Sequence, residues 1–126
     1  MQGQHLTADL YNCQCEPAWL LDAAQLGAWC AGAVQASGLQ VVNQLLHTFP
    51  STPSGPGGIT ATVLLAESHL CVHTWPEVKA VTLDVYVCNF GGDHSAKAQA
   101  LMRMLIERFA PERAEQQTLQ RGETSA

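Results

Sequence analysis

The eight residues Val81–Cys88, VTLDVYVC, alternate without a break. Val81, Leu83, Val85 and Val87 point one way, and Thr82, Asp84, Tyr86 and Cys88 the other. A period of two sustained over eight residues is a β-strand with one apolar and one polar face. Outward from it the same reading repeats. Residues 4–12 set Leu6, Ala8 and Leu10 against His5, Thr7, Asp9 and Tyr11, another half-buried strand. Residues 39–48 (LQVVNQLLHT) and the β-branched run Ile59–Ala66 read as two more, and a weak strand falls near Ala114–Leu119. Trp19, Ala23, Leu26, Cys30 and Val34 recur at helical spacing between Pro17 and the stop Ser37-Gly38. Ala98, Leu101, Leu105 and Phe109 mark a second helix, capped at Asp93 or Ser95 and ended at Pro111. Pro50–Gly58 (PSTPSGPGG) holds three prolines and three glycines and reads as a loop.

The order β-α-β-β-β-α-(β) predicts one α/β (α+β) two-layer sandwich over residues 1–126. Its sheet is mainly antiparallel with two helices on one face, because strands outnumber helices and short connections join them. The β-α-β pseudo-repeat suits a ferredoxin-like arrangement. Residues 122–126 are expected to form a frayed tail. The uncovered sheet face still carries apolar residues, so a second copy of the chain is expected to pack there as a homodimer.

Composition excludes several classes of function. With 47% hydrophobic and 13% charged residues the chain is no disordered segment. A net charge of -5 gives no footprint for a nucleic-acid backbone, while an acidic balance suits a cationic small-molecule substrate. The start, MQGQHLTADL, has neither a basic nor an apolar signal region, and no apolar run approaches a membrane span. Five cysteines (Cys13, Cys15, Cys30, Cys71, Cys88) are an odd number for a disulfide framework, so reduced thiols and a cytoplasmic location are expected.

Reactive side chains concentrate in Glu67–Glu77, ESHLCVHTWPE. Three readings compete there. His69, Cys71 and His73 would share one face of an extended strand, and imidazole with thiolate suits zinc, with Cys13 and Cys15 as further ligands. No pair has zinc-finger spacing, however, and no metal is expected. The plainer reading makes the cysteines and His69 satisfied core residues. The third is nucleophilic chemistry on Ser68, with His73 or Cys88 to activate it. Ser68 and His73 differ by an odd number of positions, so their cooperation requires a turn or bulge between them.

The run Ala66-Glu67-Ser68-His69 followed by His73-Thr74-Trp75-Pro76-Glu77 strongly resembles the processing-site signature of the prokaryotic S-adenosylmethionine decarboxylase proenzymes, the small pyruvoyl-dependent type. The Asp9-Leu10-Tyr11 strand end, His47-Thr48-Phe49, and Asp84 with Cys88 also fall where that family has them, so the resemblance spans roughly residues 3–109.

The resemblance implies a self-cleaving proenzyme. Ser68 attacks the Glu67 carbonyl to form an ester, and elimination and hydrolysis convert residue 68 into a pyruvoyl group with loss of ammonia. The products are a β chain 1–67 and an α chain 68–126. Such a rearrangement needs backbone in a sparsely populated geometry, so a strained turn is expected at the cleavage site. By the same resemblance the pyruvoyl carbonyl forms a Schiff base with the substrate and acts as an electron sink. His73 is the proton carrier for processing, and Cys88 returns a proton to the α-carbon. Glu77 holds the ribose hydroxyls and Phe49 stacks on adenine. The product is the aminopropyl donor for spermidine synthesis.

Taken singly, Phe49 reads as core, Glu77 as a surface charge, Trp75-Pro76 as a structural corner, and Asp84 as a sheet-face acceptor or an orienting group.

Two departures stand out. Thr60 occupies the position eight before the processing serine where the family has serine. It keeps the hydroxyl with fewer rotamers and supports processing. Pro50–Gly58 is longer than in the family and adjoins the expected pocket. Decarboxylation of ornithine or arginine on the same scaffold is therefore the alternative, and a non-processing partner subunit another.

Overall fold

The computed structural model describes residues 1–122. Six strands make one sheet: β1 (Gly3–Cys13), β2 (Val41–Thr48), β3 (Ile59–Leu65), β4 (Ser68–Trp75), β5 (Ala80–Cys88) and β6 (Pro111–Arg121). Their order across the sheet is β2-β3-β4-β5-β1-β6. All five pairings are antiparallel. Helices α1 (Ala18–Leu21), α2 (Ala23–Ala36) and α3 (Ser95–Phe109) form the second layer.

The expected two-layer sandwich is therefore the observed one, with four corrections. First, residues 68–75 are a complete strand that the β-α-β-β-β-α-(β) order omitted. His69, Cys71 and His73 alternate there with Leu70, Val72 and Thr74, and the odd-numbered positions face outward. Second, the helix expected from Pro17 to Ser37 is two helices. Asp22 is extended (φ -101°, ψ 99°), and its carboxylate accepts the Gln25 N–H at 3.1 Å, capping α2. Third, the weak strand near Ala114–Leu119 is an eleven-residue edge strand, so β1 lies between β5 and β6 as in the expected ferredoxin-like split β-α-β, and β3 and β4 widen the sheet to six strands. Fourth, the cap position of α3 falls on His94, although Asp93 accepts the Ser95 N–H at 2.9 Å. Of the expected tail 122–126, Gly122 is a bend and the rest lies outside the described residues.

Leu6, Ala8 and Leu10 of β1 and Val81, Leu83, Val85 and Val87 of β5 turn inward as their alternation demands. They meet Leu26, Cys30 and Val34 of α2 and Leu101, Leu105 and Phe109 of α3 in one core. Burying a side chain of this size stabilises the fold by about 1.5–3 kcal/mol. Thr74 is the one buried polar side chain among the described residues. Its hydroxyl donates to the Leu20 carbonyl and accepts the Ile59 N–H, both at 2.8 Å, so it fastens α1 to β4 and β3. The Pro50–Gly58 loop closes where the Phe49 N–H donates to the Gly58 carbonyl at 2.9 Å. A Cβ on Gly58 would overlap the Thr74 carbonyl, so only glycine fits that crossing.

Candidate functional site

The outer face of the sheet is laid out by register. Thr60 of β3, His73 of β4 and Thr82 of β5 form one row across neighbouring strands, and Thr62, Cys71 and Asp84 form the next. His69 sits beside Tyr86, which in turn pairs with His5 of β1. The face is mostly polar, but Leu45, Leu64 and Trp75 are exposed on it, at 76%, 47% and 41%.

Ser68 opens β4 after a two-residue turn, Ala66-Glu67, closed by the pairing of Leu65 with Ser68. Glu67 adopts φ 55°, the left-handed region that a side-chain-bearing residue enters at a cost of about 1–2 kcal/mol. The strained turn expected at this bond is present. Asn12, Lys79 and Ala110 share the conformation, but only Glu67 has a serine directly after it. The Cys88 backbone N–H donates to Ser68 Oγ at 3.0 Å, which fixes the hydroxyl beside the end of β5. Glu67, Ser68 and Cys88 line a cavity of about 320 Å³ with Leu39, Phe90 and Lys97.

His73 is not part of that cluster. β4 pairs on both sides without a register shift, so neither turn nor bulge lies between Ser68 and His73. Five residues of unbroken strand separate them by about 16 Å. At that far end His73 Nδ1 and Thr60 Oγ1 share a hydrogen bond of 3.0 Å. Phe49, Thr60, His73, Trp75 and Glu77 line a second cavity, of about 430 Å³, which the Pro50–Gly58 loop also walls. The Phe49 ring is half exposed and meets His47 edge-on at 4.6 Å. The seven residues singled out in the sequence thus fall into two groups at opposite ends of one strand: Glu67, Ser68 and Cys88, and Phe49, Thr60, His73 and Glu77. Trp75-Pro76 is the corner expected, with a 3-10 turn at Pro76–Val78.

The zinc reading is not supported by geometry. His69, Cys71 and His73 each engage a different partner: Asp84, Thr62 and Thr60. All five cysteines are free thiols. Burial pushes the Cys13 thiol up to about 11, with Cys15 adding to the effect, and Cys30 up to about 12, so both stay protonated at neutral pH.

What the sequence did not reveal is a cluster on the outer face. Asp84 Oδ2 accepts hydrogen bonds from His5 Nε2–H at 2.9 Å and His69 Nε2–H at 3.0 Å. Two histidines and a carboxylate make a common ligand set. Here, however, Arg121 Nη1 donates to His5 Nδ1 at 3.1 Å. A guanidinium has no acceptor, so His5 keeps its proton on Nε2 and offers no lone pair there. The cluster is a hydrogen-bonded network, and Asp84 is its acceptor. His5 was legible as a strand residue, but its pairing with Asp84 and His69 depends on β1 lying beside β5.

Fold and site together define a class: an α+β sandwich that presents a serine directly after a strained hairpin residue, with a thiol-bearing strand end next to it. The profile of the family described as S-adenosylmethionine decarboxylase matches residues 4–122, and the chain belongs to that family. An S-adenosylmethionine decarboxylase proenzyme of Parasynechococcus marenigrum is 39% identical over 100 residues, 79% of this chain and 70% of that one. One from Aquifex aeolicus is 36% identical over 121 residues, 95% of this chain and 81% of that one. The crystal structure of the Aquifex aeolicus adenosylmethionine decarboxylase superposes with a TM-score of 0.83 at 32% identity, covering 98% of this chain and 92% of that one.

Proposed function

We propose that the protein is a self-processing, pyruvoyl-dependent carboxy-lyase that decarboxylates S-adenosylmethionine and so makes the aminopropyl donor for spermidine synthesis. The observation that carries this reading is the Glu67–Ser68 bond: a hydroxyl held by the Cys88 N–H follows a residue at φ 55° in a chain of this family. A strained peptide and a positioned nucleophile are what an acyl shift from nitrogen to oxygen requires. The chain then separates into residues 1–67 and 68–126, which remain one domain because β3 and β4 stay paired.

Residue 68 fits a pyruvoyl group in this reading, since Ser68 and Cys88 line one cavity and the Cys88 N–H already reaches Ser68 Oγ. Once formed, that group supplies an electron sink for loss of carbon dioxide. Cys88 donates a proton to the substrate α-carbon, which a neutral thiol can do. Phe49 offers a ring face to adenine and Glu77 a carboxylate to the ribose hydroxyls. The match of nearly the whole chain to S-adenosylmethionine decarboxylases favours that substrate over ornithine or arginine.

His73 and Ser68 cooperate in this reading through a homodimer. Two outer faces related by a two-fold axis lying between the sheets and across the strands set the turn end of one β4 against the far end of the other. Glu67, Ser68 and Cys88 of one protomer then meet His73, Thr60, Phe49 and Glu77 of its partner. The exposed Leu45, Leu64 and Trp75 give such a contact apolar area. No helix among the described residues is long and apolar enough to cross a membrane, and five free thiols suit a reducing cytoplasm.

The test is an intact mass spectrum of the denatured protein, followed by assay of carbon dioxide release from S-adenosylmethionine, ornithine and arginine. Two chains split after Glu67, the second lighter by ammonia than a serine start requires, are expected, with release from S-adenosylmethionine alone. A single full-length chain after long incubation would overturn the reading and leave the partner-subunit role.

A further inference from the structure

Self-cleavage creates a mechanical problem at residue 68. The Ala66-Glu67 turn that ties it to β3 is cut, and the hydroxyl that accepts the Cys88 N–H is lost when the side chain is converted. Strand ends are where local opening costs least, yet this end carries the reacting carbonyl. The first side chain that can hold it is that of His69.

His69 is restrained from several directions. Its Nε2–H donates to Asp84 Oδ2, and its ring lies 5.7 Å from that of Tyr86 and 5.9 Å from that of His5. His5 donates to the same Asp84 oxygen and is itself oriented by Arg121. One chain of bonds therefore runs from β6 through β1 and β5 to the second residue of the new strand end. In register His69 sits opposite Tyr86, while Asp84 sits opposite Cys71. The His69–Asp84 bond is thus diagonal, and it resists sliding of β4 along β5 as well as separation of the two strands.

We infer that His5, Asp84 and His69 form a clamp that holds the free end of β4, and the reacting carbonyl on it, beside the Cys88 end of β5 in the mature enzyme. This rests on the self-processing reading of Ser68. His69 and Asp84 are positioning residues, and the clamp matters after cleavage, because the intact turn holds residue 68 beforehand.

The test compares hydrogen exchange at amides 69–71 in cleaved protein and in uncleavable Ser68→Ala protein, each with and without His69→Ala. In the cleaved protein His69→Ala is expected to speed exchange about tenfold, and in the uncleaved protein less than about twofold. Turnover of S-adenosylmethionine is expected to fall about 100-fold in kcat, the scale of a 1 Å misplacement, with KM within about threefold. His69→Gln, whose amide N–H can still reach Asp84, is expected to recover most of both. Asp84→Ala serves in place of His69→Ala if the latter does not cleave.

Equal acceleration in cleaved and uncleaved protein, an unchanged kcat, or failure of both His69→Ala and Asp84→Ala to cleave would overturn the clamp. A wild-type protein that stays one chain would overturn the Ser68 reading itself, and the clamp with it.

Discussion

The two ends of β4 are built to different rules. At the turn end the backbone is strained at Glu67, and the nearest hydroxyl is held by a main-chain N–H. At the far end the strand is regular, His73 is hydrogen-bonded to Thr60, and a roomy cavity lies between Phe49 and the Pro50–Gly58 loop. One end has strain and a nucleophile, and its nearby imidazoles, His69 and His94, are bonded to Asp84 and to the Phe90 carbonyl rather than to the hydroxyl. The other has an imidazole, a ring and a carboxylate without a nucleophile. Strand geometry keeps them about 16 Å apart in one chain, so a reaction that uses both draws on two chains.

The largest expected effect comes from removing the nucleophile. Ser68→Ala should leave one uncleaved chain with no measurable carbon dioxide release, and two chains in its mass spectrum would break the assignment of the turn end. Next comes Cys88→Ala, which should still cleave and keep its oligomeric size on gel filtration. Its kcat should fall about 10²–10⁴-fold, the usual worth of a positioned proton donor. Unchanged turnover would remove Cys88 from the site.

Phe49→Ala sharpens the contrast from the far end. It should cleave normally and raise KM for S-adenosylmethionine about tenfold through lost stacking, read from steady-state kinetics. The smallest effect is expected from Glu67→Gly, which relaxes the left-handed residue by about 1 kcal/mol. Cleavage should slow about fivefold, while the melting temperature of the Ser68→Ala protein should rise by about 3 °C when Glu67→Gly is added. Faster cleavage would mean that strain at Glu67 does not drive the reaction.

Much of this was legible in the sequence because it depends on local pattern. Val81–Cys88 alternates over its full length, Pro50–Gly58 cannot be anything but a loop, and Pro111 ends a helix wherever it falls. The strand at Ser68–Trp75 was hidden because its outer positions are His and Cys, which read as chemistry before they read as one face of a pleat. The break at Asp22 did have a signal, since Asp22-Ala23-Ala24-Gln25 resembles a helix-start box, but the apolar spacing on either side is continuous. The Ser68–His73 separation followed from parity, yet only the observed register excludes the bulge that would have joined them. His5 and Arg121 could not be connected to Asp84 in advance. Their meeting depends on long-range strand order, which no local periodicity encodes.

The most direct measurement is co-expression of His73→Ala and Cys88→Ala chains, the first expected not to cleave and the second to turn over at about 1% of wild type or less, followed by assay of carbon dioxide release from S-adenosylmethionine. If each site takes Ser68 and Cys88 from one protomer and His73 from the other, a mixed dimer holds one complete site. Random pairing makes half the dimers mixed, so activity should return to about a quarter of wild type. No recovery from a mixture shown to contain mixed dimers would contradict a site shared between the two ends of β4.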